Sequence, residues 1–347
     1  MRKYLAIGLL LSSGAMAHGY KSVKDWVGGC DNTRHCSALG LAKADAESYA
    51  LLHFERGPAA GDEVRSIRIR VDQGISREQT WTLHADDAEL LQFTDRHLVD
   101  ADSGPGLDFV MEDTAELAAL MGAMRSAELL TVMGKDGPVG SISLAGASAI
   151  MLWIDEQQGR LATTTALVRR GEKSPQTVPP AVPLPVLSGN GAQALGPEDA
   201  SALGATTRAS LPPDSCEELL PDSNMRDEAW QFDNDRTLLQ LHCFRGAYNF
   251  GSSWFLIDQR GEVRPLSFPI PNEDGSLGSS TEQINADFDA NTGRLHSFNK
   301  GRGLGDCGSS AQWQWDGQAF QLAHYRTMGE CRGVSPDLWP RLWLSKP

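Results

Sequence analysis

The stretch GSISLAGASAIMLWIDEQQGRLATTTALVRR, Gly140 to Arg170, decides the fold. It reads as strand, helix, strand. Ser141 to Leu144 is a short extended run, and Gly146 lets the chain turn. Ala147, Ile150, Met151 and Ile154 then fall at i, i+3, i+4 and i+7, one stripe of a helix. Leu152 and Trp153 widen that stripe until little of the first two turns is polar. A helix so apolar must be buried, so it is expected to form the spine of a core. Gly159 stops it, and the β-branched residues between Leu161 and Val168 suit a second strand.

Upstream of the spine, further strands are expected at Val23 to Cys30, Tyr49 to Glu55, Thr80 to Leu83 and Leu129 to Met133. Ile67, Ile69 and Val71 alternate with Arg68 and Arg70, as in a half-buried strand. Asp113 with Glu116 three residues later forms a capping box for a helix whose buried stripe is Leu117, Leu120, Met121 and Met124. The fold class is therefore α+β, with a first domain over residues 18–170.

Before it, Arg2 and Lys3 precede an apolar run from Tyr4 to Leu11, and Ala15-Met16-Ala17 offers a small-x-small cleavage site. Residues 1–17 read as a secretory signal peptide, too short for the roughly 20 residues of a bilayer span. The mature protein is expected in the periplasm, without a membrane span. The net charge of −14, with no basic cluster, argues against nucleic acid and against anionic lipid as partners.

Downstream, residues 171–213 alternate Pro179-Pro180, Pro183, Pro185, Pro197 and Pro212-Pro213 with Ala, Ser and Gly. This composition predicts a linker, with Pro197-Glu198-Asp199 starting one short helix inside it. The second domain, 214–347, carries six of the nine tryptophans. Strands are expected at Arg236 to Phe244, Ser252 to Ile257 and Val263 to Phe268. The alternation of Trp313 and Trp315 with Gln312 and Gln314, then Asp316-Gly317, then Phe320 and Leu322, predicts a hairpin. The domain reads as an antiparallel β meander, closing as a sandwich or a propeller-like sheet, with the aromatics as its core.

Six cysteines in an exported chain read as disulfides. They fall into three separated neighbouring pairs, which favours Cys30–Cys36, Cys216–Cys243 and Cys307–Cys331. Each bridge would contribute roughly 2–4 kcal/mol.

Three stretches together resemble one bacterial exported family, the domain-of-unknown-function family 1176. They are VKDWVGGCDNTRHC (23–36), SLAGASAIMLWIDEQQGRLATTTALVRRG (143–171) and KGRGLGDCG (300–308) followed by Cys331. Trp26 before Cys30 and the SLAG-then-helix element are also faintly similar to the invasion-associated locus B family. The first resemblance implies no established catalytic residues. The second implies an envelope or host-interaction role by analogy.

Several candidates for chemistry have plainer readings. Gly146-x-Ser148-x-Ile150 sits where a nucleophile elbow would, but the second glycine is replaced by a bulky residue. His242, His296 and His324 lie in the other domain, so Ser148 reads as a small residue on a buried helix. Asp287, Asp289, Asn291 and Gly293 begin like a calcium loop, yet the glycine is one place late and position twelve is Phe298. A turn between two strands is the simpler account. Gly301, Gly303 and Gly305 lack the following helix of a phosphate cradle and lead into Cys307. His35-Cys36 and His242-Cys243 lack zinc spacing. Asp155-Glu156 reads as a solvated helix end. No catalytic residue, cofactor or metal follows from these patterns. Two readings stand: a non-catalytic protein that binds an envelope protein or small ligand, and a periplasmic hydrolase whose site is scattered in sequence.

Overall fold

The computed structural model describes residues 19–46, 50–71, 80–100, 106–212, 216 and 225–347. The signal peptide expected at residues 1–17 lies outside them. The described chain is mostly antiparallel β, with three α-helices: α1 (Thr114–Ser126), α2 (Ala147–Gln157) and α3 (Pro197–Ser210).

In the first region, Gly19–Val23, Trp26–Cys30, Cys36–Leu41, Ala50–Arg56 and Ile67–Val71 pair in succession, and Leu107–Met111 and Leu98–Asp100 complete a seven-stranded sheet. A second sheet orders Gly137–Ser143, Leu129–Gly134, Trp81–Ala85 and Ala88–Phe93. One apolar core joins both sheets to the helices. On α2, Ala147, Ile150, Met151 and Ile154 are all buried in it. The helix comes this close because Gly28 has no side chain: a Cβ there would stand 2.9 Å from Ile150 and 3.0 Å from Trp153. On α1, Leu120 and Met124 enter the core, whereas Leu117 and Met121 stay half-buried. Asp113 caps α1 by accepting from the Ala115 and Glu116 amides. Glu116 does not return the cap, because its carboxylate is held by Arg96 and His97.

Two expectations around the spine are corrected. Leu161 to Val168 is not a strand but a run of turns. Its amides are consumed locally: Asp155 accepts from the backbone N–H of Leu167 at 2.8 Å and of Val168 at 3.2 Å. The Thr163 hydroxyl donates to the Arg160 carbonyl at 2.7 Å, so the β-branched residues serve turns rather than a ladder. Asp155 is likewise not a solvated helix end. It is fully buried and paired at 2.7 Å with Arg56, while Glu156 is exposed.

In the second region, Glu228–Asp233, Arg236–Arg245, Phe250–Asp258 and Val263–Pro265 pair in order, with Gln193–Ala194 and Glu282–Ile284 added at their edges. A five-stranded sheet runs Asp287–Asp289, Arg294–Lys300, Gly308–Trp315, Phe320–Met328 and Arg341–Leu344. Asp316-Gly317 turns its hairpin, with Asp316 accepting from the Gln318 and Ala319 amides. Trp230, Trp254, Trp313, Trp315, Phe268 and Phe320 fill the core between the two sheets. The helix that starts at Pro197 is longer than expected: it runs 14 residues and lies on Glu228–Asp233 and Arg236–Arg245.

The two regions share an apolar joint. Val27, Leu39, Leu41 and Leu51 meet Met328, Val334, Leu338 and Trp339. Arg332 pairs with Asp25 at 2.6 Å and Arg341 with Asp31 at 2.9 Å. Asn32 exchanges two hydrogen bonds with the backbone of Leu344. Disulfides join Cys30 to Cys36, Cys216 to Cys243 and Cys307 to Cys331. The first holds the loop that carries Asp31 and Asn32 into this joint.

Candidate functional site

The residues that converge best lie on one face of the second region. His242 on Arg236–Arg245 stands directly opposite Ser252 on Phe250–Asp258, and Gln240 is its neighbour two residues along. Period-two alternation puts Gln240 and His242 on the same face. The Gln240 amide donates to Ser252 Oγ at 3.0 Å and to the Ala286 carbonyl at 3.3 Å. Ser252 Oγ lies 3.0 Å from His242 Nδ1. Burial lowers the pKa of His242, with Asp227 opposing and Arg208 reinforcing the shift, so the ring is neutral at pH 7. In the neutral tautomer that carries its proton on Nε2, Nδ1 accepts from the Ser252 hydroxyl.

The pair is held from behind and from the side. The Arg208 fork on α3 grips both oxygens of Asp227 and donates to the His242 carbonyl at 3.2 Å. Asp227 accepts from the His242 amide at 3.1 Å. Register slips just after His242, where Cys243 carries the bridge to Cys216. That bulge re-aims the strand. Beyond it, Phe244 lies flat on Gly251, where a Cβ would come within 1.9 Å of its ring.

His242 and Ser252 open onto a pocket of about 380 Å³ walled by Met225, Tyr248, Phe250, Phe298 and Lys300. Asn285 sets one edge, accepting from the Phe250 amide at 2.8 Å and donating to the Phe298 carbonyl at 2.9 Å. Asn249 sets the other through the Lys300 carbonyl at 2.9 Å. Lys300 is half-buried, and no described carboxylate lies within ion-pair distance of it. Tyr248 in the wall is 37% exposed, and Leu304, on the adjoining glycine turn, 80%. A neutral hydroxyl–imidazole pair, the Lys300 cation and aromatic walls can orient a small, largely apolar molecule by one polar end.

The other sequence candidates lie elsewhere. Ser148 sits half-exposed in the first turn of α2, on a different region from His242, His296 and His324. Asp289 closes the turn at Asn291–Gly293, accepting from the Asn291 amide at 2.9 Å and the Thr292 hydroxyl at 2.6 Å. Gly301, Gly303 and Gly305 form the turn before Cys307, where Arg302 pairs with Asp306. His35 lies 3.1 Å from Glu55, on the joint between the regions. Ser252 was absent from the sequence candidates. No motif marks it, since only the strand register brings it to His242.

A family model described as a protein of unknown function (DUF1176) matches residues 20–346. The chain belongs to the DUF1176 family. It is also similar to the uncharacterised protein YpfG of Escherichia coli (strain K12), 29% identical over 358 residues, covering 95% of this chain and 94% of that protein. Neither match supports the fainter likeness to the invasion-associated locus B family. No solved structure matches. The DUF1176 match includes every residue of the pocket, His242 and Ser252 among them. Among the described residues no helix is long and apolar enough to cross a membrane.

Proposed function

We propose that this DUF1176 protein is an exported, disulfide-bonded protein of the cell envelope that binds a small ligand in the pocket above His242 and Ser252. The observation that carries this reading is the lining: aromatic walls, one half-buried lysine with no ion-pair partner among the described residues, and a satisfied neutral polar floor. A ligand with an apolar body and one hydrogen-bonding or anionic end fits it. The test is a thermal-shift panel of small aromatic and aliphatic acids and their amides. A concentration-dependent stabilisation that Tyr248→Ala and Lys300→Gln abolish is expected. Stabilisation insensitive to both substitutions would place the ligand elsewhere and end this reading.

The domain plan belongs to the same proposal. Residues 18–170 form an α+β domain, 171–213 a connecting segment and 214–347 a β domain closing as a sandwich. Residues 1–17 are removed on export to the periplasm. Sequencing of the mature N-terminus from a periplasmic extract should begin at His18; an intact Met1 would remove the export step.

A periplasmic hydrolase is the second reading, and the Ser252–His242 pair favours it. The imidazole would take the hydroxyl proton as Ser252 attacks an acyl carbon and pass it to the departing alcohol or amine, and water would then release the acyl group as the acid. Incubation with a fluorophosphonate probe separates the two. Stoichiometric labelling lost in Ser252→Ala establishes a nucleophile, and an unlabelled protein leaves binding alone.

A further inference from the structure

A second concavity, independent of the pocket at His242, opens on the first region. It has a volume of about 640 Å³ and lies between the chain after Ala50–Arg56, one stripe of α1 and the turns after α2. Thr114, Leu117, Met121 and Arg125 of α1 face it. Leu117 and Met121, members of an apolar stripe, pack against the core on one side and are only half-buried because the other side faces this cleft.

The charge beneath and around this cleft is unbalanced. Arg56 and Arg160 are both buried, at 1% and 0% exposure. Asp155 is hydrogen-bonded to Arg56, whereas Arg160 meets only neutral acceptors: Gln158, Thr165 and the carbonyls of Ala59 and Ala60. Asp62, Asp155 and Glu63 attract Arg160 without accepting a hydrogen bond from it. Arg56 lines the cleft and spends three of its five N–H donors, on Gln158, Thr165 and Asp155. Two donors remain on a guanidinium removed from water, a costly arrangement without an acceptor. Burial lowers the pKa of Arg56 to about 10, against the pull of Asp155, so it is a cation at pH 7.

At the mouth, Arg65, Arg125 and Arg170 outnumber Glu63 and Glu112, and no ion pair joins them among the described residues. Arg125 gives one donor to the Leu167 carbonyl and Arg170 one to Ala166. Their remaining forks match the planar geometry of a carboxylate. In a chain of net charge −14, this is a local reversal of sign.

We propose that the cleft binds an amphiphilic carboxylate, its head among Arg56, Arg125 and Arg170 and its hydrocarbon along Leu117 and Met121. Charge complementarity fixes the head, and the uncovered face of α1 fixes the tail.

The test is calorimetric titration of the mature, disulfide-bonded chain with octanoate, 1-octanol and inorganic phosphate in parallel. Saturable one-to-one binding of octanoate is expected, at least about tenfold tighter than octanol, since a charge-assisted fork is stronger than a neutral hydrogen bond. Arg125→Gln/Arg170→Gln should weaken octanoate about tenfold or more, with the melting temperature unchanged because both side chains are exposed. Met121→Ser should weaken octanoate and leave phosphate unaffected. No saturable heat with octanoate overturns the proposal. So does equal affinity for octanol, for phosphate, or for the double variant. Retention of octanoate by Tyr248→Ala/Lys300→Gln keeps this result separate from the pocket at His242.

Discussion

The two regions bury polar groups in opposite ways. Beneath α2, the first region buries full charges: Arg56, Asp155 and Arg160, tied through Gln158 to the backbone carbonyls of Arg34, Arg56 and Gly57. At its pocket the second region sets neutral groups: buried Gln240 and Ser252 and a half-buried, neutral His242. A buried ion network tolerates no vacancy, because removing one member strands the rest in a low dielectric. A neutral hydrogen-bonded chain is more forgiving and can exchange partners with an incoming molecule. The contrast assigns the first network to holding turns 160–170 in place, with only the cleft side of Arg56 left to a ligand, and leaves the second free to exchange partners.

Asp155→Ala is the strongest way to break that contrast. It leaves Arg56 and the Leu167 and Val168 amides without their acceptor, and a loss of about 3–5 kcal/mol is expected in urea unfolding. A loss below 1 kcal/mol would show that the network is dispensable.

Acid probes the joint between the regions, where both kinds of burial meet. Burial lowers His53 to about 4, with Glu55 and Asp337 opposing and Arg68 and Arg326 reinforcing. His324 is also lowered to about 4, by burial and then by Arg326 and Arg341, with Asp31 opposing. A histidine whose folded pKa is depressed binds its proton more readily unfolded. Its stabilisation is therefore complete above about pH 6.5 and lost as pH falls towards 4. Glu55, held near 2 chiefly by the hydrogen bond from His35, extends the loss from about 4.5 downward. The melting temperature should fall steadily from pH 7 to pH 4, and His53→Gln/His324→Gln should flatten that slope. An unchanged slope in the double variant would move the acid sensitivity away from the joint.

Ser252→Ala tests the other side. Only one neutral hydroxyl is lost, so about 1 kcal/mol is expected, with ligand binding or probe labelling changed far more than stability. A loss equal to that of Asp155→Ala would make the pair a structural element like the first network. The smallest effect belongs to Ser148→Ala on α2, within about 0.5 kcal/mol, because alanine is at least as good a helix former. Thermal melts of the two serine variants side by side give the ratio directly.

Sequence by itself determined what depends on local pattern. The apolar stripe of α2, the cap of α1 by Asp113, the Asp316-Gly317 hairpin and the aromatic core of the second region are periodicities and turn chemistries that neighbouring residues enforce. The stretches 23–36, 143–171 and 300–308, the last followed by Cys331, were sufficient together to suggest the DUF1176 family. What tertiary structure decided depends on partners far along the chain. The β-branched run after Gly159 forms turns because Asp155, only a helix-end residue in sequence, becomes a buried acceptor once Arg56 arrives from a strand about a hundred residues earlier. Ser252 acquires meaning only from the register that sets it opposite His242. Burial changes the worth of a charge or hydroxyl by kilocalories, and burial is settled by packing, which no stretch of sequence contains alone.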